Sequence, residues 1–560
     1  MRKPQTPSPA GTSPAPASSP TLGASSEAWW RGAAIYQIYP RSFADSNGDG
    51  VGDLPGITAH LDHVASLGVD AIWLSPFFVS PMADFGYDVA DYRDVDPLFG
   101  TLADFDALVA RAHALGLKVT IDLVFAHSSD RHAWFVESRA SRDNPRADWY
   151  VWADARAAGS PPSNWQSVFG GPAWTWDARR RQYYMHQFLK EQPQLNVHNP
   201  AVQDALLDVL RFWLKRGVDG FRLDALNHAL FDPRLRDNPP ARDHRPRTRP
   251  FDFQERRFSQ DHPGVIAFVE RIRAVCDAEA AERGTAIFTV AEIGGARPLP
   301  LMKAYTAGDS RLSSAYSFAF LYADDLSARR VRSALAPWRG RPGRDGLGEG
   351  WPSWAFDNHD APRSLSRWCP ADMSAGERQH FARLEVMLLA ALRGNIFVYQ
   401  GQELGLEQDE IPFAQLRDPE AIANWPLTLG RDGVRTPMPW RDEPGGGFTT
   451  GVPWLPLSPA NRARGVAVQD ADRESLLAWT RRVLAVRRAH AALRTGALED
   501  CRTPGALLAF RRGTGKGSLL CAFNLGRKPL RLDAQGAVLL AANGATPALL
   551  PPWGAIYIAG

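Results

Sequence analysis

Four short stretches carry residues able to move protons or attack carbon. "TIDLVFAH" holds Asp122 and His127, "GFRLD" holds Arg222 and Asp224, "VAEIG" holds Glu292, and "FDNHD" holds Asn358, His359 and Asp360. Each follows or ends an apolar, β-forming run, so each reads as the carboxyl end of a strand. Alternate side chains of a strand share a face, which sends Arg222 and Asp224 one way and Asn358 and Asp360 one way. Three carboxylates and an arginine brought together suit the cleavage of a glycosidic bond. Its transition state resembles an oxocarbenium ion, which an adjacent anion stabilises. One carboxylate attacks the anomeric carbon, and a second, kept protonated, hands its proton to the leaving oxygen. Arg222 is expected to hold Asp224 ionised by opposite charge. The apolar approach to Glu292, "TVA", is expected to favour the neutral acid by desolvation.

A second kind of chemistry is suggested by "DSNGDGVGD", where oxygen side chains fall at Asp45, Asn47, Asp49 and Asp53, with Gly50 at the turn. This resembles the first half of an EF-hand loop. Twelve residues in, the closing glutamate is replaced by Gly56. A sensor, a structural metal clip and a bare Asp/Gly turn are all consistent with the stretch by itself.

These residues need a scaffold. The chain of 560 residues is 44% hydrophobic and 22% charged, as a globular protein should be, and its net charge of +3 implies no large basic field for nucleic acid. Cys276, Cys369, Cys501 and Cys521 show no CxxC spacing, which argues against a disulfide framework or a zinc site and for free thiols in a reducing compartment. No stretch reaches the roughly 18 apolar residues of a membrane span. Residues 1–27, rich in Pro, Ser and Ala, lack an apolar core for an export signal and read as a disordered tail of a cytoplasmic protein.

From Ile35 onward eight β-type runs are separated, for the most part, by amphipathic helical patterns such as "TLADFDALVARAHALG" and "AVQDALLDVLRFWLKRG". Such alternation predicts a parallel α/β fold, a closed (β/α)8 TIM barrel. The barrel is expected at residues 28–126 and 196–485, interrupted by an inserted domain at 127–195 that is too long for a loop. Short runs broken by Gly and Pro predict a C-terminal antiparallel β domain at 486–560. The polar segment "DPRLRDNPPARDHRPRTRPFDF" reads as a solvated flap.

The series "GVDAIWLSP", "DFGYDVADY", "IDLVFAH", "QPQLN", "GFRLD", "VAEI", "NHD" and "YQGQELG", in this order from about Trp29 to Gly560, resembles the α-amylase superfamily, glycoside hydrolase family 13. The likeness is to its α-glucosidase and oligo-1,6-glucosidase branch. It implies a retaining double displacement with Asp224 as nucleophile, Glu292 as acid and then base, and Asp360 gripping sugar hydroxyls. It implies sugar contacts from His127 and His359, a terminal-glucose site at Asp84 and Tyr87, a pairing of Arg431 with Asp84 that closes the pocket, and a wall at Phe169. For the Asp45 loop it implies one structural Ca²⁺ or Mg²⁺ held by Asp45, Asn47, Asp49, Asp53 and the Val51 carbonyl, a set of oxygens that excludes zinc. No organic cofactor is expected. Ala126 stands where many amylases have a calcium-binding Asn, and Gln194 where the oligo-1,6 type has Asp. Ala225, after the nucleophile, leans toward α-1,4 cleavage, where relatives with Val cleave α-1,6 bonds. The expected activity is an exo-acting α-glucosidase on maltose-like substrates with transfer to alcohols or phenols, the alternative being a 1,6-cleaving or sucrose-active member. The expected partner is a small oligosaccharide or glucoside, without nucleic acid or membrane, for a monomer or homodimer.

Overall fold

The computed structural model describes residues 28–242, 247, 249–295, 298–338, 350–428 and 430–560. The tail read at 1–27, and part of the polar segment, lie outside the described residues.

All eight predicted runs form strands: Ala34–Ile38, Ala71–Leu74, Lys118–Val124, Gly220–Asp224, Phe288–Ile293, Ser314–Ser317, Ser353–Ala355 and Asn395–Tyr399. They join in one eight-stranded sheet in which sequence neighbours pair in parallel and the first strand pairs with the last. A parallel bridge between Ala315 and Pro352 links the sixth strand to the seventh, so the sheet closes into a barrel. Both faces are covered, which is why these strands are near-continuous apolar runs and not alternating ones. "AIYQI" is buried along its whole length.

The surrounding helices start and stop where local chemistry directs. Asp53 accepts from the Gly56 N–H and caps the helix Leu54–Ser66. Thr101 and Asp104 form a reciprocal capping box at the head of Leu102–Ala114. The helix Val265–Arg283 ends at Gly284, whose φ of 66° suits a residue without a Cβ.

Between the third barrel strand and the helix Pro200–Lys215 lies a three-stranded antiparallel sheet, Trp152–Ala153, Gln182–Met185 and Trp174–Asp177. It has a small core of its own, including Trp165, Trp174 and Met185. After the barrel comes a five-stranded antiparallel sheet containing Leu507–Arg512, Leu519–Asn524 and Ala555–Ala559. Two buried arginines brace its junction with the barrel: Arg487, on the helix Leu476–Ala489 that precedes the sheet, and Arg512, within it. Arg487 donates to the carbonyls of Ala390 at 2.6 Å, Gly394 at 2.7 Å, Leu493 at 2.9 Å and Gly32 at 3.0 Å. Arg512, with no exposed surface, donates to Gly496 O at 3.1 Å and to Ala391 O. The four cysteines are free, and all but Cys501 are buried. Among the described residues no helix is long and apolar enough to cross a membrane.

Candidate active site

The carboxyl ends of the barrel strands open into a cavity of about 580 Å³, lined among others by Asp224, Glu292 and Asp360. Behind its floor sits Arg222, fully buried. Its Nη1 lies 2.7 Å from Asp122 Oδ1 and 2.5 Å from Asp224 Oδ1, and its Nη2 lies 2.5 Å from Glu292 Oε1. Strands three, four and five thus each send a carboxylate to one guanidinium. Tyr316, on the sixth strand, accepts from Arg222 Nε at 3.1 Å and donates to Glu292 Oε1 at 2.9 Å.

This sharing corrects one expectation. Arg222 does not hold Asp224 low. Burial raises Asp224 to about 7, with Arg222 opposing it and Asp122 reinforcing it. Burial likewise raises Glu292 to about 7 and Asp122 to about 6. One positive charge divided among three desolvated carboxylates cannot keep all of them ionised. The outcome for Glu292 is the one the apolar "TVA" approach predicts.

Asp360 differs. Burial would raise it, but His359 and the guanidiniums of Arg435 and Arg431 outweigh burial and hold it well below the ordinary carboxylate range. Arg435 Nη2 is 2.8 Å and Arg431 Nη1 3.6 Å from Asp360 Oδ1. Asp360 remains an anion while its two neighbours across the cavity sit near neutrality.

At one end Arg431 Nη2 lies 2.8 Å from Asp84 Oδ1 and 2.8 Å from Asp418 Oδ1, all three residues being buried. Phe169 stands under the Arg431 guanidinium, 5.1 Å away. Tyr87 lines the cavity and its hydroxyl is 2.6 Å from His359 Nε2, the two rings stacked 5.5 Å apart. His127 also lines the cavity, its Nε2 within 3.1 Å of Gln192 Nε2, which donates to Asp84 Oδ2 at 3.1 Å. Arg222 and His359 are not on the cavity surface but behind it. Tyr316, Arg435, Asp418 and Gln192 were not picked out from sequence. Two of them had a signal: Arg435 stands four residues after Arg431 in "GRDGVRTPMPW", and Gln192 opens "QPQLN".

The polar segment is also corrected. Arg249, Phe251 and Asp252 line the cavity, where a solvated flap was expected. Its charges are answered locally: Arg249 is 2.9 Å from Glu420 and 3.1 Å from Asp252. Paired charges pack over a mouth that unpaired ones would leave.

The Asp45 loop lies apart from the cavity. Its donor set is all oxygen and fits a hard cation in kind. In the structure Asp45 accepts from the N–H groups of Gly48 and Gly50 at 2.7 and 2.8 Å, and Asp49 Oδ1 accepts from Val51 N at 2.8 Å. Thr449 donates to Asp45 Oδ2 at 2.5 Å. Among the described residues no three His, Cys, Asp or Glu side chains are gathered as a cluster that could hold a metal ion.

The fold and the acids at its mouth define a glycoside hydrolase. More narrowly, the chain belongs to the alpha-amylase family: the model of the "Alpha amylase, catalytic domain" matches residues 37–496, and a "Domain of unknown function (DUF3459)" matches 497–557. It is similar to a probable alpha-glucosidase of Rhizobium meliloti (strain 1021), 52% identical over 505 residues and 89% of each chain. It is 34% identical over 490 residues to an oligo-1,6-glucosidase of Parageobacillus thermoglucosidasius, covering 82% of this chain and 84% of that one. Among solved structures it resembles the alpha-glucosyl transfer enzyme XgtA, with a TM-score of 0.89 and 49% identity over 96% of this chain and 100% of the other.

Proposed function

We propose that this chain is a retaining, exo-acting α-glucosidase that releases α-glucose from the non-reducing ends of short α-1,4-glucosides such as maltose. The carrying observation is that Asp224 and Glu292 share the Arg222 guanidinium in a cavity whose end is blocked by the Asp84–Arg431 pair. A blocked end suits one terminal glucose and not the middle of a polymer.

Among the described residues Asp224 bonds through Oδ1 alone, to Arg222, leaving Oδ2 to attack the anomeric carbon. As that C–O bond forms, the bond to the leaving oxygen breaks and Glu292 supplies the proton. Glu292 then takes a proton from water, whose oxygen displaces Asp224 with a second inversion. Asp360, kept anionic, grips the sugar hydroxyls and stabilises the positive charge at the ring. An alcohol or phenol replaces water in the second step to give transfer, and the likeness to XgtA, an alpha-glucosyl transfer enzyme, supports that reading.

Ala225 lines the cavity and supports the α-1,4 lean, while the oligo-1,6-glucosidase relative favours the alternative. Initial rates on maltose, isomaltose and sucrose test the reading, with NMR of the first anomer released: faster isomaltose or sucrose turnover, or β-glucose, refutes it. We propose further that Asp45, Asn47, Asp49, Asp53 and the Val51 carbonyl hold one Ca²⁺ or Mg²⁺ that supports the fold. The buried thiols are in keeping with a cytoplasmic site of action.

A further inference from the structure

Arg256 is the cationic side chain of the cavity wall that the reading above leaves without a task. It lines the same cavity as Ala225, His228 and Gln260. Its side chain is 17% exposed, and its one ionic partner among the described residues is Asp252, at 3.5 Å. Its Nε is fully buried and has no hydrogen-bond partner among the described residues. By contrast the neighbouring Arg249 is answered twice, by Asp252 and Glu420. The Phe251 ring lies beneath the Arg256 guanidinium, its centroid 4.3 Å away. A buried guanidinium with unspent donors carries a desolvation cost unless something else binds it. Its segment is held against the loop that follows the nucleophile, where Asp261 N–H donates to the Asn227 carbonyl at 2.8 Å and Asn227 Nδ2 donates to Asp261 Oδ1 at 2.7 Å, so Arg256 stands on the side of Ala225.

We propose that Arg256, backed by Phe251 and paired with Asp252, is the subsite that grips the leaving group, and that the ligand is a neutral polyhydroxylated one such as a second sugar ring. Neutrality follows from charge. Among the described residues Arg249 and Arg256 stand against Asp252 and Glu420 on the same wall, a balanced set that offers no net positive charge to a phosphate or carboxylate. Donors on Arg256 beside acceptors on Asp252 match vicinal hydroxyls, each of which gives and takes a hydrogen bond. The proposal rests on the α-glucosidase reading and adds the group that recognises the other half of the substrate.

The test compares kcat/KM for maltose, whose leaving group is a sugar, with that for p-nitrophenyl α-glucoside, whose leaving group has no vicinal hydroxyls. In Arg256→Gln the maltose-to-aryl ratio is expected to fall about tenfold or more, the loss carried by one charge-assisted hydrogen bond, mainly through KM for maltose. Arg256→Lys should recover part of the ratio, and Asp252→Asn should lower it less. An unchanged ratio, or equal loss on both substrates, overturns the proposal. If Arg256→Gln does not fold, the ratios of Arg256→Lys and Asp252→Asn decide in the same way. A wild-type preference for a phosphorylated disaccharide over its unphosphorylated form also overturns it. A wild type that cleaves neither glucoside instead refutes the α-glucosidase reading itself.

Discussion

Arg431 and Asp84, separated by 347 positions in the chain, meet in a buried ion pair 2.8 Å long. Asp84 comes from the loops after the second barrel strand and Arg431 from those after the eighth. Asp418 adds a second carboxylate to the same guanidinium, at 2.8 Å.

Removing Arg431 leaves two buried carboxylates facing each other. Arg431→Ala is expected to cost about 3–5 kcal/mol of stability, the usual penalty for stripping one partner from a buried pair. Thermal melting reads the loss. Asp84→Asn, which keeps shape and removes charge, should melt closer to wild type yet lose most turnover of maltose. Normal maltose kinetics in Asp84→Asn would show that the pair is structural only.

Asp224→Ala should abolish turnover of every glucoside. Glu292→Gln should cost roughly 10²–10⁴-fold on maltose, the range of general acid catalysis. On an aryl glucoside with an acidic phenol, bond cleavage needs less proton assistance, so Glu292→Gln should accumulate a covalent glucosyl-enzyme detectable by intact-mass measurement. Absence of that adduct, with turnover retained, counts against the assignment of Asp224.

The pair Asp224 and Glu292, each raised to about 7 by burial, gives two pH expectations. For catalysis, one proton must be shared between them, so kcat/KM should be bell-shaped with apparent values that belong to the pair. For stability, both folded values lie above the ordinary carboxyl value. Their contribution is therefore fully present below about pH 4 and is lost as pH rises through about 7. Melting temperatures should fall across that interval, and Glu292→Gln should melt above wild type at pH 8. A wild-type melting curve flat between pH 5 and 8 is the opposing outcome.

Chelation should lower the melting temperature and added Ca²⁺ or Mg²⁺ restore it, by about 2.7 kcal/mol at a hundredfold excess over Kd. Asp45 also braces Thr449 and three backbone amides, so Asp45→Ala should destabilise with or without metal. Asp49→Ala, at an exposed position with only the Val51 N–H to brace, should remove the part that chelation removes and cost less than Asp45→Ala in the metal-free protein. Equal melting in chelator and in Ca²⁺ would leave a turn stabilised by its own side chains.

Ala225 sits at φ 40°, in the left-handed region that β-branched residues avoid. Ala225→Val should therefore lower the melting temperature while moving the isomaltose-to-maltose ratio upward. A change of this size in volume is worth about 1–3 kcal/mol, or roughly 10–200-fold. A ratio that stays put removes Ala225 as a linkage determinant.

The barrel was legible because its strands are short, largely apolar runs with capped helices between, four of them ending at or just before an ionisable group. Asp224, Glu292 and Asp360 were legible for the same reason. How one arginine is divided was not: Arg222 sits two residues from Asp224, so their contact follows from strand alternation, but Asp122 and Glu292 reach it only because strands three, four and five adjoin. Arg435 and Asp418 supply charges to acids lying far off in sequence, and local pattern carries no sign of that. The segment bearing Arg249 and Phe251 looked solvated because charge runs usually are. Its partner Glu420 lies 171 positions away from Arg249.

Among the carbonyls that Arg487 and Arg512 occupy, those of Ala390, Ala391 and Gly394 belong to the barrel, at the end of the helix Ala375–Ala391 and beside the last strand. Excising the C-terminal sheet to obtain a minimal catalytic core would strip Arg512 from that junction and expose the apolar side chains packed against it. The appendage is better regarded as a keystone than as a tag, and shortened versions ending near Gly496 should be recovered as insoluble material.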